Sequence, residues 1–202
     1  MKLIWLIIYL SFLIWSAISP KEYFTWFLEV IPAIIGGIIL AFTYKAFRLT
    51  RLVYILILLH CVVLFIGGHF TYAEVPLFDY LKETFNWQRN NYDKVGHFMQ
   101  GFAPAMIARE IFVRKNIVNF PRWRNFFILC FCLAFSAFYE LIEWVVSALS
   151  TGESAEAFLG TQGYVWDTQS DMAFALLGAI LALLSLSFIH DKQIRNLALD
   201  SR

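Results

Sequence analysis

Long apolar runs constrain this chain more than any other feature. Six segments, roughly 3–19, 23–43, 52–73, 95–113, 125–149 and 169–189, are mostly apolar, and each is close to the ~20 residues that a helix needs to cross a bilayer. The chain is 60% hydrophobic and only 15% charged, whereas a soluble domain carries about a quarter charged residues. We therefore predict an all-α integral membrane protein, a bundle of six transmembrane helices forming one polytopic domain over residues 1–202.

The first apolar run fits a secretory signal peptide as well as a spanning helix. Lys2 precedes the run, and small residues lie near Ser19, where a cleavage site would stand. Pro20 follows that point directly, and the core of the run is long and contains tryptophan. Both features favour a helix that is retained in the mature protein.

Basic residues are distributed unevenly between the predicted loops. Of the 16 lysines and arginines, all except Lys21, Lys82, Arg89 and Lys94 fall on the side that holds both termini. Because basic loops stay in the cytoplasm, we predict that both termini are cytoplasmic, an N-in/C-in topology. The net charge of +1 provides no basic surface for nucleic acid, so membrane lipids are the expected surroundings.

The longest predicted connection, residues 74–94, lies on the outer side and has an amphipathic pattern. Val75, Leu77, Phe78, Leu81 and Phe85 fall on roughly one helical face. This spacing predicts a helix that lies in the outer membrane interface.

Three of the predicted spans each carry a pair of polar residues one helical turn apart. The pairs are Asp93 with His97, Glu140 with Glu143, and Asp167 with Asp171. Residues three or four apart share a helix face, and the predicted topology puts all three pairs at a similar depth in the outer half of the membrane. The polar residues expected near them are Glu29, His69, Gln100, Tyr139 and Gln169.

Charged side chains at this depth must face the bundle interior, because each costs roughly 2.5–3.5 kcal/mol in the middle of a bilayer. Lys94 is the clear cation beside the five acids of the three pairs, so a divalent cation such as Mg, Mn or Zn would balance the excess negative charge. We predict a metal site formed by Asp93, His97, Glu140, Glu143, Asp167 and Asp171, with Glu140 and Glu143 as the catalytic residues, one or the other of which acts as general base.

Structural interpretations of the same residues stay open. Asp93 and Asp167 could cap the helices that they begin, and His97 could be an interior histidine with satisfied hydrogen bonds. One of the two glutamates could be protonated and hydrogen-bonded. Glu140 and Glu143 are the residues least explained in this way, because a position inside a helix offers no capping role.

Three motifs resemble the YjdF-type family of uncharacterised bacterial inner-membrane proteins. They are "YDKVGHFMQGF", "YELIEW" and "LGTQGYVWDTQSDMAFALLGA". This resemblance implies a six-helix protein of the bacterial inner (cytoplasmic) membrane, without a particular activity. Asp93, Lys94, His97 and Phe98 also resemble an Asp-Lys-x-x-His-Phe element of VanZ-like membrane proteins, and this looser similarity suggests cell-envelope chemistry by analogy.

The first functional hypothesis is a metal-dependent membrane hydrolase that acts on a lipid-linked or other small-molecule envelope substrate from an outward-facing pocket. A proton- or cation-coupled transporter of small solutes is the second, since buried Glu, Asp and His residues also form ion relays. A non-catalytic membrane binding or assembly factor, in which the cation is structural, is the third. The sequence leaves open whether the protein is an enzyme.

Overall fold

The computed structural model of the chain describes residues 2–149 and 161–200. Arg202 of the predicted basic tail and residues 151–160 of the predicted loop between the last two spans lie outside these ranges. Every regular element within them is helical, which confirms the prediction of a helical membrane protein. The helices are α1 (Lys2–Ala17), α2 (Tyr23–Thr43), α3 (Arg51–Phe70), α4 (Pro76–Thr84), α5 (Tyr92–Arg114), α6 (Pro121–Leu149) and α7 (Asp167–Asp200), with a short 3-10 turn at Tyr72–Glu74.

Four helices in the described part are long and apolar enough to cross a membrane, namely Tyr23–Thr43, Arg51–Phe70, Pro121–Leu149 and Asp167–Leu199. The other two predicted spans differ from these for separate reasons. α1 has 16 residues, so its length is only ~24 Å. α5 has 23 residues but includes Asp93, Lys94, Arg109 and Glu110, so its composition is too polar.

Polar residues are tolerated in α5 because this helix is the centre of the bundle. α3, α6 and α7 all pack against it, and more than half of its residues are buried, including Asp93, Lys94, Arg109 and Glu110. α1 and α2 lie beyond α3 and contact it rather than α5. Protein therefore surrounds α5 on several sides, and its charged side chains face other helices instead of lipid.

Two glycines set the distance between α5 and α7. A Cβ atom at Gly101 would collide with the backbone carbonyl of Ala175, and one at Gly178 would collide with the carbonyl of Phe98. Small residues at a helix contact allow the two backbones to approach closely. This approach brings the polar residues at both ends of α5 against those of α7.

α1 follows α3 along most of its length. The indole Nε1 of Trp5 donates to the carbonyl of Tyr54 at 2.7 Å near the start of α3. At the other end, Nδ1 of His69 lies 3.2 Å from the carbonyl of Ser16. Between these points, the Tyr9 hydroxyl donates to the carbonyl of Ala33 in α2, so α1 is fixed to both neighbours.

The segment between α3 and α5 contains the helix that its amphipathic pattern indicates. α4 begins with Pro76 at its first position, where the fixed φ of proline suits a helix start. Phe78 packs edge-on against Tyr92, with ring centroids 5.2 Å apart. Leu77 and Phe85 are exposed, so the five apolar residues do not form one buried face. Their exposure is what a helix lying in a membrane interface requires.

Candidate functional site

One end of the bundle contains a buried group of charged side chains. α5, α6 and α7 supply all six of the predicted site residues, and the loop before α5 adds an arginine. We call this group the Asp93 cluster, and its members are Arg89, Asp93, Lys94, His97, Glu140, Glu143, Asp167 and Asp171, all of them buried. The first turns of α5 and α7 run side by side here because Gly101 and Gly178 permit close packing.

Two cations neutralise one face of the cluster. The Nζ atom of Lys94 lies 2.7 Å from Asp167, 2.5 Å from Asp171 and 3.4 Å from Asp93, so its three N–H groups are directed at three carboxylates. Arg89 donates from Nη1 to Asp167 at 2.5 Å and from Nη2 to Asp93 at 3.4 Å. Charge-assisted hydrogen bonds of this kind fix the positions of all three aspartates.

Asp93 and Asp171 each use one oxygen for these cations and turn the other toward His97. Oδ1 of Asp93 is 3.3 Å from Nε2 of His97, and Oδ2 of Asp171 is 3.9 Å from the same nitrogen. One ligand atom from each of the three residues lies within 4.8 Å of the others. Ligands that share an ion at ~2.1 Å are ~3.0–3.4 Å apart, so a small contraction would suit one divalent cation.

The second ring nitrogen of His97 faces oxygen acceptors as well. Nδ1 lies 3.2 Å from Oε1 of Gln100 and 3.7 Å from Oε1 of Glu140. Metal-bound histidines commonly donate from the nitrogen that does not bind the metal, and that hydrogen bond sets the tautomer. Oε1 of Glu140 is buried and accepts no hydrogen bond within the described residues. Gln100 and Glu140 are therefore placed to hold His97 with Nε2 directed toward a cation.

The six predicted ligands thus occupy four kinds of position. Asp93, His97 and Asp171 share the candidate ligand position, whereas Asp167 is engaged by Arg89 and Lys94. Glu140 lies on the Nδ1 side of His97, and Glu143 lines a cavity beside it. Capping does not explain Asp93, because α5 begins at Tyr92 after Asn91 and the Asp93 side chain faces cations. Asp167 is the first residue of α7, and its carboxylate also faces cations.

Two cavities adjoin the Asp93 cluster. The His97 cavity, of about 190 Å³, is lined by Glu29, Asp93, His97, Gln100, Tyr139 and Glu143, with further residues that include His60 and apolar side chains of α2, α3 and α5. The Tyr164 cavity, of about 680 Å³, is lined by Arg89, Lys94 and Tyr164 together with the aromatic residues Trp87, Phe98 and Phe174. Asp93, His97 and Glu143 therefore line one cavity, and the two cations line the other.

Arg89 is the functional candidate that sequence reasoning missed. It precedes α5 in a loop of polar residues, where nothing in the local pattern distinguishes a buried arginine from an exposed one. The available signal was its spacing, since Arg89 and Asp93 are four residues apart. Glu29 lies at the His97 cavity as expected. His69 is elsewhere, stacked near Trp15 with ring centroids 4.5 Å apart.

Tyr72 packs between two glycines and forms part of the wall of the His97 cavity. The ring of Tyr72 occupies the space that Cβ atoms at Gly67 in α3 and Gly96 in α5 would fill. Thr71 before it has φ of 60°, an uncommon conformation for a β-branched residue. Gly96 in the "YDKVGHF" motif therefore has a packing reason, which is to admit the Tyr72 ring beside Asp93 and His97.

Comparison with known proteins places the chain in a family. A family model described as a predicted membrane protein, DUF2238, matches residues 1–192. The chain belongs to this family. A curated relative, the inner membrane protein YjdF of Escherichia coli (strain K12), is 47% identical over 187 residues, which is 93% of this chain and 89% of the relative. No solved structure matches the chain.

The DUF2238 match confirms the YjdF-type resemblance that the three motifs indicate. "YDKVGHFMQGF" supplies Asp93 and His97, and the last motif supplies Asp167 and Asp171, so the motifs that carry the resemblance also carry the Asp93 cluster. The looser similarity to VanZ-like proteins is not among these matches and stays a prediction.

A second buried polar group lies at the opposite end of α5. This Glu110 cluster consists of Thr50, Arg109, Glu110, Arg114, His190 and Asp191. The Glu110 carboxylate accepts from the backbone N–H of Thr50 at 2.9 Å, from the Thr50 hydroxyl at 2.7 Å, from Arg114 at 2.7 Å and from His190 Nε2 at 3.1 Å. Arg109 contacts Nδ1 of His190 at 3.1 Å and Asp191 at 2.8 Å.

Hydrogen bonding in the Glu110 cluster fixes the proton on His190. A guanidinium group only donates, so Nδ1 of His190 accepts from Arg109 and Nε2 carries the proton donated to Glu110. The two arginines of the cluster balance its two carboxylates. Sequence reasoning missed His190, because the predicted last span ends at 189 and α7 continues beyond it.

Proposed function

We propose that this chain is a bacterial inner-membrane protein with six spans and both termini in the cytoplasm. α1 and α5 supply the spans beyond the four long apolar helices. α1 runs beside α3 from near Tyr54 to near His69, and α5 lies between three other helices. The location is that named for the E. coli relative. The Glu110 end carries Lys45, Arg48, Arg114, Lys115, Arg122 and Arg124, so the positive-inside rule assigns it to the cytoplasm.

Single cysteines at opposite ends of the bundle test this topology. The three native cysteines are replaced by serine, and Glu83→Cys in α4 and Lys192→Cys in α7 are introduced separately. In intact spheroplasts, a membrane-impermeant maleimide should label Cys at position 83 only, and detergent should expose position 192. Labelling at 192 in intact spheroplasts would contradict the proposed orientation.

In this orientation the Asp93 cluster opens to the outside, and we assign it a divalent cation held by Asp93, His97 and Asp171. The observation that carries this assignment is the convergence of three buried ligand atoms within 4.8 Å of one another. Arg89 and Lys94 contact the two aspartates, and Gln100 contacts His97. Two carboxylate oxygens and one imidazole suit Mn or Zn, and Mg if waters complete its shell. Glu140 has the position to orient His97 rather than to bind the cation directly.

The proposed activity is hydrolysis of a phosphate ester or phosphate anhydride. A bound cation would polarise a phosphoryl oxygen and make its water a better nucleophile at neutral pH. Glu143 lines the same cavity as Asp93 and His97 and has no capping or pairing role that would account for a buried carboxylate. We assign it as the general base that takes the proton from the attacking water.

The Tyr164 cavity suggests the class of substrate. Arg89 and Lys94 supply the positive charge that a phosphate requires, and Phe98 and Phe174 supply aromatic surface on α5 and α7. A lipid-linked phosphate in the outer leaflet has both parts, a charged headgroup and an apolar chain. This cavity therefore favours a lipid-linked envelope intermediate over a free soluble phosphate.

Metal analysis combined with an activity screen tests this function. Detergent-purified protein is analysed for bound metal and for phosphate release from lipid phosphates and diphosphates with added Mg²⁺, Mn²⁺ or Zn²⁺. His97→Ala and Asp171→Asn should lose the metal, whereas Asp191→Asn should retain it, because Asp191 pairs with Arg109 at the other end. Equal metal content in all three variants would refute the site.

The assignment of Glu143 needs a separate variant. Glu143→Gln should keep the metal and the fold but lose hydrolysis by 10²-fold or more, roughly the size of effect expected for a general base. Glu83→Gln, an exposed residue of α4, is the matched control and should hydrolyse at the wild-type rate. Unchanged hydrolysis in Glu143→Gln would remove that residue from the mechanism.

A proton- or cation-coupled transporter is the second candidate, and the shape of the His97 cavity favours it. The cavity extends from Glu143 past His60 in α3 to Ile107, which lies three residues from Glu110. Buried His and Glu residues along such a path form ion relays in transporters. Proton or cation flux into proteoliposomes that is lost in His60→Phe, with no phosphate release, would favour transport over hydrolysis.

The third candidate, a non-catalytic binding or assembly factor, predicts a different result in the same preparations. Chelation would lower the melting temperature, but neither hydrolysis nor flux would be present to be lost. Glu143→Gln would then leave every measured property except stability unchanged.

A further inference from the structure

A third cavity lies at the Glu110 end and is lined by residues outside both polar clusters. It has a volume of about 440 Å³ and is formed by the start of α1, the end of α2 and the loop that leads into α3. Three cations line it, Lys2, Lys45 and Arg48. Within the described residues, no carboxylate lines this cavity. We call it the Lys45 cavity.

The cations of the Lys45 cavity have no carboxylate partner among the described residues. Arg114, close by, differs from them and forms an ion pair with Glu110 at 2.7 Å. For Lys45 and Arg48, no ion pair is present in the part of the chain that the structure describes. The Lys2 ammonium lies over the ring of Tyr44, 4.3 Å from its centroid. The cavity therefore has a net positive charge that would attract an anionic ligand.

A buried hydroxyl without a partner marks the same cavity. The hydroxyl of Tyr44 is buried and makes no hydrogen bond to the described residues, whereas the buried hydroxyl of Tyr54 has the backbone of Leu49 beside it. Both tyrosines line the cavity, and their rings are 6.3 Å apart, centroid to centroid. A buried hydroxyl normally has a partner, so the Tyr44 hydroxyl beside three cations favours a polar, anionic ligand.

Apolar side chains continue from the cationic part of the cavity along the lipid-facing surface. Leu6 on α1 and Leu40 and Phe42 on α2 line it, and Leu6 and Phe42 are exposed. A ligand that fits has a negatively charged head against the cations and hydroxyls and a hydrocarbon chain along these residues. This combination excludes a free inorganic anion, which would leave the apolar part of the cavity uncovered.

We propose that the Lys45 cavity binds the phosphate headgroup of an anionic phospholipid. Basic pockets between spanning helices on the cytoplasmic side are typical sites for such headgroups. The proposal is independent of the Asp93 cluster, which lies at the opposite end of the bundle. The site would tie the start of α1 to α2 through a lipid of the leaflet that the basic residues face.

Native mass spectrometry of the full-length protein tests this proposal. The protein is delipidated, returned to micelles that contain phosphatidylglycerol or phosphatidylethanolamine, and the retained lipid is measured. Wild type should retain one phosphatidylglycerol in preference to phosphatidylethanolamine. The Lys45→Gln, Arg48→Gln double variant should bind phosphatidylglycerol about 30-fold more weakly, the loss expected for two cations near a membrane surface.

Two further double variants test whether lipid binding depends on the residues of the cavity or only on the total positive charge at this end of the bundle. Arg122→Gln with Arg195→Gln removes two exposed cations from the same end without touching the cavity, and should retain phosphatidylglycerol at the wild-type level. Tyr44→Phe with Tyr54→Phe keeps every charge and should reduce retention several-fold. Equal losses in the two charge variants, or no loss in the cavity variant with its fold intact by circular dichroism, would overturn the proposal.

Discussion

The two ends of α5 carry polar clusters that are similar in composition and opposite in character. At the Glu110 end, one carboxylate accepts four hydrogen bonds, the histidine has a single assignable tautomer, and arginines and carboxylates balance. At the Asp93 end, five carboxylates meet Arg89, Lys94 and His97, and an oxygen of Glu140 accepts no hydrogen bond within the described ranges. Two cavities adjoin the Asp93 cluster.

This difference separates a structural cluster from a candidate site. A buried network whose carboxylates and histidine nitrogens all have partners rigidifies a core, and it offers no free ligand position. The Glu110 cluster is of this kind, although Nε of Arg109 makes no hydrogen bond to the described residues. A cluster with excess charge, unused acceptors and adjoining space is unfavourable on its own and becomes favourable when something binds. Stability should therefore depend on the Glu110 cluster in every condition, and on the Asp93 cluster only in the presence of its ligand.

The largest expected effect comes from breaking the Glu110 cluster. Glu110→Gln removes the charge that Arg114 and His190 contact and leaves Arg114, whose side chain is 24% exposed, without its counter-charge. Removing one partner of a buried pair costs about 3–5 kcal/mol, which for a chain of this size lowers the melting temperature by about 6–20 °C. Thermal unfolding in detergent measures this, with exposed Glu83→Gln as the control. A melting temperature within 2 °C of wild type would contradict a structural role for the cluster.

Ligand addition is expected to act on the other cluster only. At ~100 times its dissociation constant, a cation stabilises the protein by about 2.7 kcal/mol, or about 5–10 °C. Mn²⁺ or Zn²⁺ should raise the melting temperature of wild type and Asp191→Asn by this amount. Asp171→Asn should not respond, because it loses one of the three ligand atoms. A response in Asp171→Asn equal to wild type would place the cation elsewhere.

The sequence predicted the helices well because long apolar runs determine them, whatever the tertiary structure. It also predicted which helices bring acids together, since pairs three or four apart on α5, α6 and α7 share faces. It could not predict Arg89, because burial of a loop residue depends on Asp167, which is distant in the sequence and contacts it only after folding. Nor could it predict that Asp167 contacts Arg89 and Lys94 whereas Asp171 contacts Lys94 and His97, because those partners depend on the position of α7 along α5.

His190 shows the same limit at the other end. Its partners Glu110 and Arg109 are 80 and 81 residues away in sequence. α5 and α7 both begin at the Asp93 end and run parallel, with Gly101 and Gly178 at their contact. Residues near the other ends of the two helices, such as Glu110 and His190, therefore lie at the same depth. A prediction of parallel contact between these helices would have indicated the Glu110 cluster as well.

A smaller effect of opposite sign is expected when charge is removed from the Asp93 cluster. In chelator-treated protein, Glu140→Gln removes a buried carboxylate whose Oε1 is not hydrogen-bonded, and so reduces repulsion between acids. We expect the melting temperature to rise by about 2–4 °C. Added Mn²⁺ should then stabilise this variant less than wild type, because Glu140 no longer supports His97. A clear fall in the melting temperature without metal would mean that Glu140 is structurally satisfied.

The smallest expected effect is the pH dependence of Glu22, a carboxylate outside both clusters that serves as a reference for them. Glu22 caps α2 and accepts from the backbone N–H groups of Phe24, at 2.9 Å, and Thr25. Slight burial raises the pKa of Glu22, but hydrogen bonds from the start of α2 outweigh it and lower the pKa below its ordinary value. A lowered pKa in the folded state gives stability that is present above the unfolded pKa and is lost as the pH falls through the folded one.

The resulting pH dependence should be small because Glu22 is exposed to solvent. Between pH 6 and pH 3, wild type should lose about 1–2 °C more in melting temperature than Glu22→Gln, which keeps an acceptor but does not titrate. Measured in the Glu140→Gln background, the same difference should persist, because Glu22 lies outside the Asp93 cluster. If wild-type Glu22 and Glu22→Gln respond equally to acid in the Glu140→Gln background, the acid sensitivity comes from the Asp93 cluster. Glu22 would then not be independent of that cluster.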